Sequence, residues 1–428
     1  MSSKPKTLAT KVPKLRFPEF RGAQEWENAI LGALSEVVRG GSPRPIDGFL
    51  TTAADGLNWL KIGDVDKEAK YVTHTAEKVR PEALSKTRVV NPGDLILSNS
   101  MSFGRPYILQ IKTCIHDGWI AITDIAKKAE RDFLYYSITA PSSQSYFVDN
   151  AAGSGVQNLN ADIIKALPVC FPSPAEQQKI AECLSSVDEL MAAQARKVDA
   201  LKTHKKGLMQ QLFPREGEAA PRLRFPEFRD AGEWEEKKLE DLAKRGSGHT
   251  PSKSHPEYYN GGIKWVSLAD SKRLDNGLIA ETAIQISEKG IQNSSAALHP
   301  EGTVLISRDA GIGKSAVMSE SMAVSQHFIV WSCKAHLLSN WFLYHLLQNS
   351  KPLFERAATG STIKTIGLQF FIDLAFRVPA LAEQQRIAAC LSSLDALIAA
   401  ETRKLEALKT HKKGLMQQLF PSLEEGTA

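Results

Sequence analysis

Apolar residues fall at Ile180, Leu184, Val187, Met191, Val198, Leu201, Leu208 and Leu212, in steps of 4, 3, 4, 7, 3, 7 and 4. Such a seam predicts a long helix of coiled-coil type. Gln194 and Lys205 are its polar interruptions. A second seam follows at Ile387, Leu391, Leu394, Ile398, Leu405, Leu408, Leu415 and Leu419, interrupted at the matching places by Glu401 and Lys412. The surrounding segments, Pro172–Pro214 and Pro379–Pro421, are identical at 32 of 43 aligned positions and lie 207 residues apart. That match predicts a duplicated architecture. A helix of about 38 residues would be about 57 Å long, too long to bury its stripe against one domain. The pattern therefore predicts an antiparallel pair of the two copies, giving the chain a pseudo-twofold axis. Its predicted core is Ile180, Leu184, Val187, Met191, Val198 and Leu201 against Ile387, Leu391, Leu394, Ile398, Leu405 and Leu408. The alternatives are packing on the neighbouring body or on a helix of another protein.

Before each seam lies a body of different patterning. Leu15–Phe20 reads LRFPEF and is followed by Trp26; the same words return at Leu223–Phe228, followed by Trp234. In the first body, from about Glu25 to Phe171, short apolar runs alternate with turn signals, as at Asn58–Ile62 and Gly93–Ser98. Trp119–Ile122 predicts a buried strand and Arg131–Tyr136 a helix with an aromatic face. Asn160 predicts the cap of a short helix. The second body, Glu233–Val378, repeats this order. Its strands are Ile263–Ser267, Thr303–Ser307 and Gln326–Val330, its aromatic helix Trp341–Tyr344, and its glycine loop Thr359–Ser361. Trp59, Trp265, Phe133 and Trp341 are expected in the cores. The fold class expected is α+β: two similar mixed α/β bodies joined by two long helices. The helices suit one shared task and the diverged bodies two different ones.

Composition changes this picture little. The chain of 428 residues is 43% apolar and 24% charged, with net charge +5, which permits a nucleic-acid partner without requiring one. No apolar run reaches membrane-spanning length. The N-terminus lacks an apolar signal core, so a cytoplasmic location is expected. The five cysteines are then expected as thiols, with Cys183 and Cys390 packing the core. Gly311–Ser315 tempts toward a phosphate loop, but Arg308 stands where that motif needs glycine. His249 and His255 sit six apart in a Gly/Ser/Pro-rich loop, a weak metal signal. With no methyltransferase, helicase or nuclease motif evident, the sequence points to binding rather than turnover. The run Lys-Thr-His-Lys-Lys-Gly, at Lys202–Gly207 and Lys409–Gly414, is identical in both copies. It reads either as a solvated helix face or as a docking surface for a partner subunit or DNA phosphates.

The AEQQ(K/R)IA…CLSS(V/L)D helix, the KKGLMQQLFP ending, the Trp-initiated bodies and the NPGDLILS/HPEGTVLIS strand resemble the DNA specificity (S) subunits of type I restriction-modification systems. The likeness runs from about Leu15 to Pro421. It implies a mobile arm (1–12), a first target recognition domain (13–171) and a first spacer helix (172–214). It further implies a linker with a second recognition domain (215–378), a second spacer helix (379–421) and a tail (422–428). It implies a non-catalytic subunit that reads a bipartite double-stranded DNA target, one half per domain. Two methyltransferase (M) subunits and restriction (R) subunits would assemble on it. S-adenosylmethionine, ATP and Mg would act in those partners, and this chain would hold no cofactor or metal.

Base readout uses Arg, Lys, Asn, Gln, Ser and Thr on exposed loops. The candidates for DNA contact are Ser98, Asn99, Ser100, Ser102, Arg105, Gln157 and Asn158 in the first body. In the second they are Lys253, Ser307, Arg308, Lys314, Ser361 and Lys364. No catalytic residue is assigned. The rival reading is a protein-interaction adaptor whose two bodies hold non-DNA ligands on a helical spacer.

Overall fold

The computed structural model describes residues 12–99, 104–151, 159–360 and 364–421. Ser100, Ser102, Gln157, Asn158 and Ser361, most of the expected arm and the tail lie outside the described residues. The chain divides into two units, residues 1–194 with 404–428, and 195–403. Each unit contains a body, the first half of one long helix and the second half of the other, or the reverse.

In the first unit a five-stranded sheet runs in the order Glu36–Arg39, Trp119–Thr123, Leu95–Ser98, Pro106–Leu109, Tyr71–Val72. Period-two alternation makes each strand serve two cores. Leu95 and Leu97, with Ile120 and Ile122, face a core shared with the helices. Ile96, Trp119 and Ala121 face a second core. Both faces are covered, so the strand Leu95–Ser98 is buried along its whole length. The second sheet runs Leu50–Thr51, Glu77–Val79, Leu57–Leu60, Thr113–Ile115, Arg88–Val90.

The second unit repeats the larger sheet strand for strand. Ala243–Ser247, Phe328–Cys333, Val304–Ser307, Ser315–Met318 and Leu278–Ile279 form its five-stranded sheet. Val304, Ile306, Ile329 and Trp331 face the helix-side core, and Leu305, Phe328 and Val330 the other. Its smaller sheet, Ile284–Ile286, Tyr259–Val266, Met322–Val324 and Leu298–His299, has four strands; the edge strand Leu50–Thr51 has no described counterpart.

The long helices are Pro174–Leu212 and Leu381–Leu419, each of 39 residues. In the first unit Ile180 and Leu184 share a core with Met416, Leu419 and Phe420. In the second, Ile387 and Leu391 share one with Met209, Leu212 and Phe213. Lys205 pairs with Asp395 and Lys197 with Glu401, so position rises on one helix as it falls on the other. The helices pack antiparallel. The outer seam positions are closed by the bodies as well as by the facing helix. Val187 and Val198 are buried in the pair, while Met191, Leu201, Leu394, Ile398, Leu405 and Leu408 are half-buried.

Two clamps join each body to its helices and account for the duplicated words. Arg16 donates from Nε and Nη2 to both oxygens of Glu176, at 2.8 and 2.7 Å, and Nη1 and Nη2 donate to the carbonyls of Ala23 and Gln24. Trp26 Nε1 donates to the same carboxylate at 3.3 Å. In the second unit Arg224 clamps Glu383 and the carbonyls of Ala231 and Gly232. The adjacent glutamine holds the loop before the aromatic helix. Gln177 Nε2 donates to the Lys128 carbonyl while its Oε1 accepts from Glu130 N; Gln384 does the same with Leu337 and Ser339. LRFPEF and AEQQ are thus two halves of one joint.

Three expectations are corrected. Gln326 and His327 precede the strand, which begins at Phe328. Trp341 is half-buried at the edge of its core rather than inside it, whereas Trp59, Trp265 and Phe133 are buried. Cys183 and Cys390 are half-buried on the helices, not core residues.

Candidate nucleic-acid interface

Each body presents one hairpin loop at the end of its all-buried strand, and most of the sequence candidates fall on it. In the first, Ser98 N donates to the Arg105 carbonyl and Gly104 N to the Ser98 carbonyl. In the second, Ser307 N donates to Lys314 and Gly313 N to Ser307. Gly104 and Gly313 have φ of 69° and 79°, the left-handed turn that closes each loop. A second segment crosses each hairpin. Leu159 N donates to the Asn99 carbonyl at 3.0 Å, and Ile366 N to that of Arg308 at 2.8 Å. The hairpin candidates Asn99 and Arg308 are thus each met by a segment far along the chain, at Leu159 and Ile366.

Within this cluster the side chains differ in what they can offer. Ser98 and Asn99 are buried, and Asn99 Nδ2 donates to the Asp117 carbonyl. Ser307 is buried, its hydroxyl donating to the Ala310 carbonyl. Arg308 is half-buried, with Nε donating to the Ile366 carbonyl. Lys314 is half-buried, and its ammonium donates to the Ser271 carbonyl. Arg105 is half-buried, while Lys253 and Lys364 are exposed.

Around the same loops stand polar groups that residue-type reasoning passed over. In the first body Ser42 donates to Asp117 at 2.9 Å, and Arg39 and Arg44 gather on that residue. Burial pushes the Asp117 carboxyl up, but the Ser42 hydrogen bond and the charges of His116, Arg39 and Arg44 outweigh it and hold it below the usual range. In the second body Thr250 donates to Gln326, and His327 Nδ1 bonds Asp309. Gln326 is exposed. Asp117 and Gln326 occupy the same turn, since Asn99 N donates to the Gly118 carbonyl as Arg308 N does to that of His327. The signal in the sequence was the position of His116–Gly118 and Gln326–His327 just before matching strands. The backbone of the turn is shared while its side chains differ.

In the first unit a cleft of about 580 Å³ opens between Arg105, at the root of the hairpin, and the second copy of the basic run. Lys67, Lys409, Lys412 and Lys413 also line it, with Tyr135, Thr139, Gln144 and Met416. Lys412 is held by Asp188 at 2.6 Å, and Asp188 in turn accepts from Tyr136 Oη at 2.7 Å. Two independent sequence candidates, the loop arginine and the helix run, thus line one cavity. Among the described residues no group of three His, Cys, Asp or Glu could hold a metal ion, and no helix is long and apolar enough to cross a membrane.

Two bodies of one fold, with different loop surfaces on closely similar helices, define a duplicated, modular architecture. The Type I restriction modification DNA specificity domain matches residues 24–203 and again 231–410. The chain is 22% identical to the type I restriction enzyme MjaVIII specificity subunit of Methanocaldococcus jannaschii, over 95% of this chain and 93% of that one. The putative MjaX specificity subunit of the same organism is 24% identical over 93% of each. The MjaIX specificity subunit matches at 27% over only 45% of each chain. The crystal structure of a type I restriction-modification S subunit from M. genitalium superposes with a TM-score of 0.59 at 15% identity, covering 96% of this chain and 99% of that one. A chain from a structural study of type I complex assembly and conformational transition gives 0.58 at 18% identity, covering 93% and 98%. The chain belongs to the type I restriction-modification DNA specificity family, with two copies of its domain.

Proposed function

We propose that this chain is the non-catalytic, sequence-specific double-stranded DNA-binding subunit of a type I restriction-modification complex. Each body reads one half of a bipartite target with the loops at its hairpin end. The helix pair sets the gap between the half-sites and carries two methyltransferase subunits, to which restriction subunits are added. S-adenosylmethionine, ATP and Mg act in those partners, and the complex works in the cytoplasm. The observation that carries this reading is the pairing of near-identical helices and clamps with hairpin loops of divergent chemistry. Half-sites about one helical turn apart, roughly 34 Å, suit a rigid helical spacer.

Domain exchange tests it. Replacing Glu25–Phe171 by the body of a relative is expected to change one half of the methylated word and leave the other and the gap intact. Inserting a heptad into one helix is expected to alter the gap and preserve both half-sites. Methylation-site sequencing reads both outcomes; a changed half-site word in the insertion variant refutes the spacer role.

A further inference from the structure

The basic cleft of the first unit lies beside the hairpin that Arg105 closes. Five cations line it, Lys67, Arg105, Lys409, Lys412 and Lys413, and no carboxylate does. Lys67 and Lys413 have no ion-pair partner among the described residues. Lys409 meets only the exposed Glu406 on its own helix, at 2.8 Å. Arg105 Nε is buried without a hydrogen-bond partner, and the nearest carboxylate to its guanidinium, the exposed Glu68, is 3.6 Å away. A buried donor in that condition is costly unless an acceptor reaches it.

We infer that this cleft seats the sugar–phosphate backbone of DNA beside the first half-site, binding it without regard to sequence. The inference rests on the DNA-reading function proposed above. Phosphate oxygens supply the acceptors that Lys67, Lys413 and the Arg105 guanidinium lack among the described residues, and a planar guanidinium suits them. The cleft is continuous with the reading loop, because Arg105 is the residue whose carbonyl closes the hairpin on Ser98. An acidic partner helix would need a long apolar floor; the floor here is Tyr135, Pro141 and Met416. Thr139 and Gln144 line the cleft too, but their donor hydrogens go to the carbonyls of Tyr135, Gly104 and Ile138. The other copy of the run, Lys202–Gly207, belongs to the second unit, whose hairpin ends at Lys314 in the place of Arg105.

The test uses the full chain carrying Lys67→Gln, Lys409→Gln and Lys413→Gln, assembled with the methyltransferase subunits of its own system. Lys412 is left intact because it holds Asp188. Anisotropy titrations compare a target duplex with a duplex of scrambled half-sites across a series of salt concentrations. Each lost phosphate contact lowers the salt slope by about 0.9, so the triple variant is expected to lower it by about 2 to 3. Affinity is expected to fall at least tenfold on both duplexes, with the methylated word and the thermal midpoint unchanged. Unchanged affinity and slope, with wild-type complex still preferring its target, overturns the inference alone. Weakened assembly with the methyltransferase subunits and unchanged duplex affinity of the assembled complex overturns it in favour of a protein-docking cleft. Loss of target preference already in the wild-type complex overturns the DNA-reading function itself.

Discussion

Lys205 of the first long helix holds both carboxylate oxygens of Asp395 on the second, at 2.5 and 2.6 Å. Lys412 and Asp188 repeat the pair in the other unit. The two lysines that interrupt the hydrophobic seam are therefore cross-helix anchors. Each partner aspartate also meets the aromatic helix of its body: Tyr136 bonds Asp188, and His345 lies 4.0 Å from Asp395. Helix, helix and body meet at one node. Asp395→Asn is expected to destabilise the second unit by about 1–2 kcal/mol, between the values for exposed and buried pairs. The charge-swapped pair Lys205→Asp with Asp395→Lys should recover part of that loss. Urea titration of the three proteins decides it, and equal loss in the swapped pair would mean that packing, not pairing, sets the node.

The Arg16–Glu176 clamp is more deeply buried, with side-chain exposures of 9% and 1%. Arg16→Leu leaves a buried carboxylate facing Trp26 alone. A cost of about 3–5 kcal/mol is expected, confined to the unit that contains it. Hydrogen exchange should show lost protection in residues 13–171 with the second body unaffected, and Arg224→Leu should give the reverse. Uniform loss across both bodies in either variant would show that the units do not unfold separately.

The duplicated helices and the order of strands were legible in the sequence because period and repetition are local signals. The joint was not. AEQQ belongs to the predicted helix by its pattern, yet its glutamate is engaged 160 residues away by Arg16. Nothing in either word announces the other. Choosing candidates by residue type picked a pair of structurally equivalent hairpins, but type does not reveal burial. Ser98 and Ser307 end buried strands and turn inward, whereas Gln326 was assigned to a strand although it sits in the exposed turn before it. The meeting of Arg105 with the helix lysines depends on the helix returning across the body, which no periodicity encodes.

His345 should make the second unit acid-sensitive in a way the first is not. Burial, with a smaller contribution from Lys205, lowers its pKa to about 3, and its Nε2 lies 3.1 Å from Ser392 Oγ. The ring faces Asp395, Lys205 and the rings of Trp341 and Tyr344. The unfolded chain takes up a proton near the ordinary histidine value of about 6.5 while the folded one does not. Between those values the unfolded state binds more protons, so stability is full above the ordinary value and falls as pH drops toward 3, by up to about 1.4 kcal/mol per pH unit. Tyr136 holds the corresponding place in the first unit and stays protonated throughout, its own pKa raised by burial. His345→Tyr is expected to flatten the decline of the second unit's stability between pH 6.5 and 5. Thermal scans across that range measure it, and an unchanged slope would assign the acid sensitivity to other groups.

Gln326 is the exposed amide at the turn that Asp117 occupies in the first body, and Thr250 orients it by donating to its Oε1. That hydrogen bond assigns the oxygen inward and leaves the amide nitrogen free to donate. In the major groove a single outward donor is met by guanine O6 or N7, adenine N7 or thymine O4, and is refused by cytosine, whose edge offers only a donor. Gln326→Ala is expected to cost about 1–3 kcal/mol of discrimination at one position of the second half-site. The first half-site and the gap should stay as they are. Thr250→Val should blur the same position less severely, because the amide is then free to flip and present its oxygen. Sequencing methylated sites with each variant in place of the wild-type chain gives the position-by-position preference. Relaxation in the first half-site, or none in the second, would remove Gln326 from the reading surface.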